Sequence, residues 1–238
     1  MKTRPTALLT GATSGIGASA ALALARAGHR VFVVGRQPRK LAQVAKKIGA
    51  RRIGGALRAD LSSATEIRAL AREIATSLRG LDLLLHCAGD YEWTRPGDTD
   101  AASFARLFDI NVRAPFLLTQ ALLPQLARAR GQVVFLNSSI TRNPGAGVAL
   151  YKATQHAVQG FTDSLRQDLN ARGVRVSSLF LGRTATPRMR RIYAHEGRPY
   201  RPGQLLRADA VGELIVAMTR LPRGMEVTDV HVRSAVPY

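Results

Sequence analysis

Cysteine is nearly absent. Cys87 stands alone in 238 residues, so no internal disulfide can form, and that usage suits a reducing, cytoplasmic compartment. Long apolar runs are absent as well. No stretch approaches the roughly 20 residues that a membrane helix needs. "TALLTGATSG" passes straight from a short apolar strand into a glycine loop, so neither a membrane span nor a signal peptide is expected. There is no internal repeat, no low-complexity tract and no metal-ligand cluster. Acids are scarce: 16 stand against 35 basic residues, for a formal charge of +19. Such a balance fits a polyanionic partner, whether a phosphorylated cofactor, an acidic substrate, a carrier protein or nucleic acid. It equally fits an arginine-rich, well-solvated surface. The basic residues are spread along the chain and not gathered on one helix, which disfavours nucleic acid.

What is present is a repeating pattern. With 46% hydrophobic residues the chain can bury a sizeable core, and its length fits one domain over 1–238. Apolar runs at Ala7–Thr10, Val31–Val34, Leu81–His86, Gln132–Leu136 and Arg175–Leu179 read as buried strands, with a last one near Val227–Val232. Amphipathic stretches at Gly17–Ala27, Lys40–Ile48, Ala64–Leu78, Ala101–Ala129 and Tyr151–Ala171 read as helices. This βα alternation predicts an α/β, Rossmann-like, doubly wound parallel sheet, with ligands at the carboxyl ends of its strands.

"TGATSGIG" follows the first strand and opens the first helix. Gly11, Gly15 and Gly17 let the backbone approach a pyrophosphate at a helix N-terminus. The second strand then bears on the choice of cofactor. NAD sites usually carry an acid near its end to hold the ribose 2′-hydroxyl. Here "VFVVGRQPRK" places Gly35 at that point, followed by Arg36, Arg39 and Lys40. No carboxylate repels a 2′-phosphate and a guanidinium can grip one, so NADP(H) is favoured over NAD(H).

In these features the sequence resembles the short-chain dehydrogenase/reductase family over essentially its whole length. "TGATSGIG" resembles the family's T-G-x-x-x-G-x-G loop, which implies cofactor contacts at Gly11, Thr13, Ser14, Gly15, Ile16 and Gly17. Asp60 in "ADL", with Leu61 beside it, resembles the acid that bonds the adenine amine. "HCAG" (His86–Gly89) stands where the family has N-N-A-G, which brings Ala88 and Gly89 to the cofactor and places Cys87 at an asparagine position. Asn111 resembles the family's helix asparagine. Ser138 precedes Tyr151 by 13 residues, the family's spacing, which favours it over Ser139. "LGRTAT" resembles the P-G-x-x-x-T loop, with Leu181 for proline. Gly182, Thr184 and Thr186 would line the cofactor, Thr186 at the nicotinamide amide.

The resemblance implies hydride transfer between a nicotinamide and a carbonyl or secondary alcohol. Tyr151 would give or take the proton and Ser138 would polarise the oxygen. Asn111 has a further argument: Pro115 lacks an N–H, which leaves the Asn111 carbonyl free to hold a relay water. Besides Cys87 and Leu181, one residue departs from the pattern at the chemistry itself. In "YKATQ", Gln155 stands four residues after Tyr151, where the family has lysine. Glutamine can keep the ribose hydrogen bonds but brings no charge to lower the tyrosine pKa. Lys152 lies about 100° around the helix and His156 is turned aside, whereas Arg183 could supply charge from the nicotinamide loop. Two readings follow: an NADP(H)-dependent reductase, or a catalytically weak NADP(H)-binding sensor or scaffold.

After Thr186, "PRMRRIYAHEGRPYRPGQLLR" (187–207) holds Arg188, Arg190, Arg191, Arg198, Arg201 and Arg207 against Glu196 alone. Its proline and glycine punctuation predicts a mobile substrate lid, and its charge an anionic or carrier-bound substrate. A solvated basic loop is the alternative. Arg128, Arg130 and Arg172 could extend a docking surface for an acidic carrier. The apolar stripe "FLLTQALLPQLA" on the long helices predicts a homodimer or homotetramer.

Overall fold

Seven strands lie side by side in one wholly parallel sheet, ordered β3-β2-β1-β4-β5-β6-β7. They are β1 (Thr6–Thr10), β2 (Arg30–Gly35), β3 (Ile53–Arg58), β4 (Leu83–His86), β5 (Gln132–Ser138), β6 (Arg175–Leu181) and β7 (Asp229–Val232). This computed structural model describes residues 4–94, 97, 99–143 and 145–236.

The strands read as continuous apolar runs because both faces of the sheet are covered. Successive residues point to opposite faces. Ala7 and Leu9 of β1 join one buried cluster, with Val31, Val33, Leu83 and Leu85. Leu8 joins the other, with Phe32, Val34 and Leu84. Helices α1 (Gly15–Arg26), α2 (Pro38–Ile48) and α8 (Ala208–Thr219) supply Leu24, Leu41, Val44 and Ile215 to the first cluster. Helices α3 (Ala64–Ser77), α5 (Ala114–Ala129) and α6 (Ala149–Asn170) supply Ile67, Ile74, Leu118, Leu122 and Val158 to the second. Each fully buried Leu or Val of this kind is worth about 1.5–3 kcal/mol.

Four features differ from the sequence expectation. Strand β3 was not expected, since "RRIGGALR" carries two central glycines. Phe32 of β2 explains them: a Cβ on Gly54 would sit 2.3 Å from its ring. Helix α8 was not expected either. The segment 101–129 is not one regular helix: α4 (Ala101–Phe108) leads into a π-helical turn, Asp109–Arg113, before α5. The Ala114 N–H reaches back five residues to the Asp109 carbonyl, the winding expected of a π-turn. Lastly, the first part of 187–207 is helical. Thr186 caps α7 (Pro187–His195) by accepting the Met189 N–H at 3.1 Å, and Pro187 opens the helix.

Candidate active site

A cleft of about 970 Å³ runs across the carboxyl ends of β1, β2, β4, β5 and β6. Every residue nominated above for catalysis or cofactor contact borders it. At its centre the glycine loop is too tight for side chains. A Cβ on Gly11 would lie 2.7 Å from the Ala88 backbone, and one on Gly17 would lie 2.4 Å from the Gly11 carbonyl. Thr10 Oγ1 accepts the Cys87 and Ala88 N–H groups, each at 3.2 Å, and pins the end of β4 to the loop. Helix α1 begins with no side-chain cap from Ser14 and no acid in its first turn. Its first N–H groups are therefore left for an anion.

At the β2 end, Arg36 is exposed, borders the cleft and has no hydrogen-bond or salt-bridge partner among the described residues. Arg39 and Lys40 lie outside the cleft lining on the exposed start of α2. A Cβ on Gly35 would come within 2.6 Å of Thr13 Cγ2, so Thr13 fills the space where an acidic side chain would begin. Asp60 accepts the Ser62 N–H at 2.9 Å and its hydroxyl at 2.8 Å. The backbone hydrogen bond from Ser62 holds its carboxyl below the usual range, with Arg36 adding to the effect.

At the other end, β5 delivers Ser138 and α6 delivers Tyr151 to the same part of the cleft. Burial raises the Tyr151 pKa. The positive charge of Arg188 and the Ser138 hydrogen bond pull it down. Asn137 secures Ser138 by accepting its N–H at 2.7 Å and donates to the Gln155 carbonyl at 3.1 Å. Gln155 is 6% exposed and borders the cleft one turn from Tyr151, and among the described residues its side chain makes only a marginal contact, 3.5 Å, to Thr154 Oγ1. Asn111 sits in the π-turn. Its side chain accepts the Asp90 N–H at 2.6 Å and donates to the Asp90 carbonyl and to Thr154 Oγ1, each at 3.0 Å.

The proposed cations separate clearly. Lys152 points away and donates to the Asn143 carbonyl at 3.1 Å, and His156 is exposed. Arg183 does not act as a free charge, because Glu196 binds it on two prongs at 2.7 Å each while it lies 4.9 Å over the Tyr193 ring. Arg188 borders the cleft and donates to the Gly89 carbonyl. Arg191 and Arg198 also border the cleft. Arg190 instead stacks over Tyr200, Arg207 pairs with Asp209 at the surface, and Arg201 is exposed outside the cleft lining.

Two residues of this corner escaped the sequence reading. Tyr91, in the loop after β4, meets Tyr151 edge-on with ring centroids 5.0 Å apart. Arg188 was counted only as a lid charge, although its position two residues after Thr186 was a usable signal. Beneath them, His86 is buried against Phe135 and bonds Thr119 Oγ1 at 2.9 Å, and burial lowers its pKa to about 3. Burial likewise raises the Cys87 pKa, so its thiol stays protonated.

The family model for short chain dehydrogenases matches residues 5–197. The chain belongs to that family. Sulfoacetaldehyde reductase 2 of Chromohalobacter salexigens is 31% identical over 94% of this chain and 92% of its own. A short chain dehydrogenase from Burkholderia cenocepacia, solved in complex with NADP, superposes with a TM-score of 0.85 at 30% identity, covering 96% of both chains. A short chain dehydrogenase from Salmonella enterica superposes at 0.87, again with 30% identity and 96% of both chains covered. Family membership makes this chain an oxidoreductase by descent, with a nicotinamide cofactor and a small-molecule substrate. Among the described residues no helix is long and apolar enough to cross a membrane.

Proposed function

We propose that the chain is an NADP(H)-dependent reductase of small, anionic carbonyl compounds, in which Gln155 replaces the family lysine. The observation that carries this reading is the Ser138–Tyr151 pair at one end of a cleft whose far end presents Arg36, which has no partner among the described residues. The residues fit a phosphorylated dinucleotide. Gly11 and Gly17 leave a cradle that a Cβ would fill, the α1 N-terminus offers bare N–H groups, and Arg36 is free for a 2′-phosphate. When bound, the nicotinamide supplies the hydride. Tyr151 then donates its phenolic proton to the carbonyl oxygen and Ser138 polarises that oxygen. Asp60 and Leu61 border the adenine end; Ala88, Gly89, Gly182, Thr184 and Thr186 border the nicotinamide end. Asn111 positions the strip Gly89–Tyr91 against α6. Arg191 and Arg198 face the substrate side, and the relative named for sulfoacetaldehyde, an anionic aldehyde, supports an acidic substrate.

A second reading, a cofactor-binding sensor with little turnover, is favoured by one observation. Burial raises the Tyr151 pKa and Gln155 brings no charge to oppose it. Titration of NADPH and NADH by fluorescence, followed by NADPH oxidation with a panel of anionic and neutral aldehydes, separates the two. Turnover in the wild type that Gln155→Lys raises and moves to lower pH, by about 1–3 pH units, is the reductase outcome. Tight NADPH binding with turnover only in Gln155→Lys leaves the sensor. The same reading includes a cytoplasmic location and a homodimer or homotetramer formed through α5 and α6.

A further inference from the structure

Proton donation by Tyr151 asks for a positive charge nearby, and the charged groups around it can be taken element by element. From its own helix, Lys152 is turned to Asn143 and His156 to solvent. From the loop after β4 come Tyr91, edge-on, and Asp90, which is paired with Arg106. From the loop after β6 comes Arg183, whose charge Glu196 cancels; Arg198 leans on the same carboxylate at 3.5 Å. From α7 come Arg191 and Arg188.

Arg188 differs from Arg183, Arg198 and Arg106 in what holds it. Its partner is the neutral carbonyl of Gly89, so its charge is not cancelled. Gly89 begins the strip that Asn111 clamps through both backbone groups of Asp90. Asn111 also bonds Thr154 Oγ1, which donates to the Tyr151 carbonyl at 2.7 Å. Tyr91, at the far end of the strip, packs on the Tyr151 ring. Arg188 is thus docked to the segment that runs along Tyr151.

We propose that Arg188 is a positioning residue for the reductase chemistry: carried on α7, its guanidinium supplies beside Tyr151 the positive charge that Gln155 lacks, while Gln155 keeps the hydrogen-bonding role. Among the influences on the Tyr151 hydroxyl that oppose its burial, Arg188 is the largest, ahead of the Ser138 hydrogen bond. The work of one lysine is split between two elements. The charge comes from a helix that also borders the substrate, so the acid is tuned when α7 is seated on Gly89.

The inference rests on the reductase reading, and its test reads Tyr151 directly. Tyrosine labelled at the ring Cζ with ¹³C is titrated by NMR in the wild type, Arg188→Gln and Arg188→Lys, with Tyr151→Phe to assign the signal. The series is repeated in the Gln155→Lys background, where the ionisation lies lower. Loss of the charge is expected to move the Tyr151 ionisation up by about 1 pH unit, at the low end for a neighbouring cation because Arg188 is exposed. Arg188→Lys is expected to stay near the wild type. NADP⁺-dependent alcohol oxidation, which needs the ionised phenol, should move its rising limb upward equally, with a rate about tenfold lower at any pH below the limb. An unmoved Tyr151 ionisation in Arg188→Gln overturns the proposal. If NADPH affinity falls at the same time, Arg188 is a cofactor ligand instead. A shifted ionisation in a protein without turnover upholds the role of Arg188 and sinks the reductase reading, so the two failures are distinct.

Discussion

Asn111 places both ends of its amide on a single neighbour, accepting the Asp90 N–H and donating to the Asp90 carbonyl, at 6% exposure. Truncation to alanine strands a part-buried donor and acceptor, so Asn111→Ala is expected to lose about 1–3 kcal/mol of stability. Its melting temperature should fall, and Tyr91 should become more mobile by NMR relaxation. Arg36 is the opposite case, a side chain with no partner among the described residues. Arg36→Ala is expected to keep the wild-type melting temperature of the free protein and to weaken NADPH binding about 10- to 100-fold, the worth of a charge-assisted hydrogen bond. NADH binding should be unchanged. Equal losses for both cofactors, measured by fluorescence titration, would remove Arg36 from the phosphate site.

Helix α7 begins on the Thr186 hydroxyl, so a cap and a cleft residue coincide. Thr186→Ala is expected to loosen α7 by about 1 kcal/mol, read as faster amide exchange across 187–195 with α6 unaffected. The Thr-Pro start stands in the sequence, but the proline and glycine punctuation around it pointed to a mobile loop. Strand β3 was hidden for a different reason. Its two glycines answer to the Phe32 ring, a tertiary contact that no local pattern contains. The π-turn at Asn111 is a one-residue change in winding that leaves the apolar stripe of 101–129 nearly intact, so periodicity does not register it. The cleft residues were readable because they follow strand ends or stand at fixed spacings on the helices beside them. Side-chain partners were not: that Glu196 cancels Arg183 and leaves Arg188 uncancelled depends on how 183–198 folds back on itself.

Across the whole molecule, acidity is expected to act through the interior. His86 has its pKa lowered to about 3 by burial, while the unfolded chain takes up its proton near 6.5. Its contribution is complete above pH 6.5 and falls as the pH drops toward 3, amounting to about 4 kcal/mol if nothing relaxes. His86→Asn, which keeps a partner for Thr119, should flatten this acid-side decline in thermal melts. Assembly is a second whole-molecule matter. Phe116, 43% exposed, meets Phe161 at 5.2 Å in a groove between α5 and α6. If these helices pair two copies, Phe116→Glu should convert a sedimenting dimer or tetramer to the 25.7 kDa chain; a wild type already at that mass would end the idea.

The interlock of Thr13 with Gly35 bears on how such a protein could change its cofactor over generations. An acid at position 35 alone meets Thr13 Cγ2 at the first carbon of its side chain. Gly35→Asp is therefore expected to be a dead end, weakening both cofactors without gaining NADH. Shrinking Thr13 to serine removes the Cγ2 methyl and opens the space. An acid at the end of β2 therefore calls for a second change, in the loop after β1. On the proposed NADP(H) reading, cofactor choice rests on this packing as well as on the charge of Arg36.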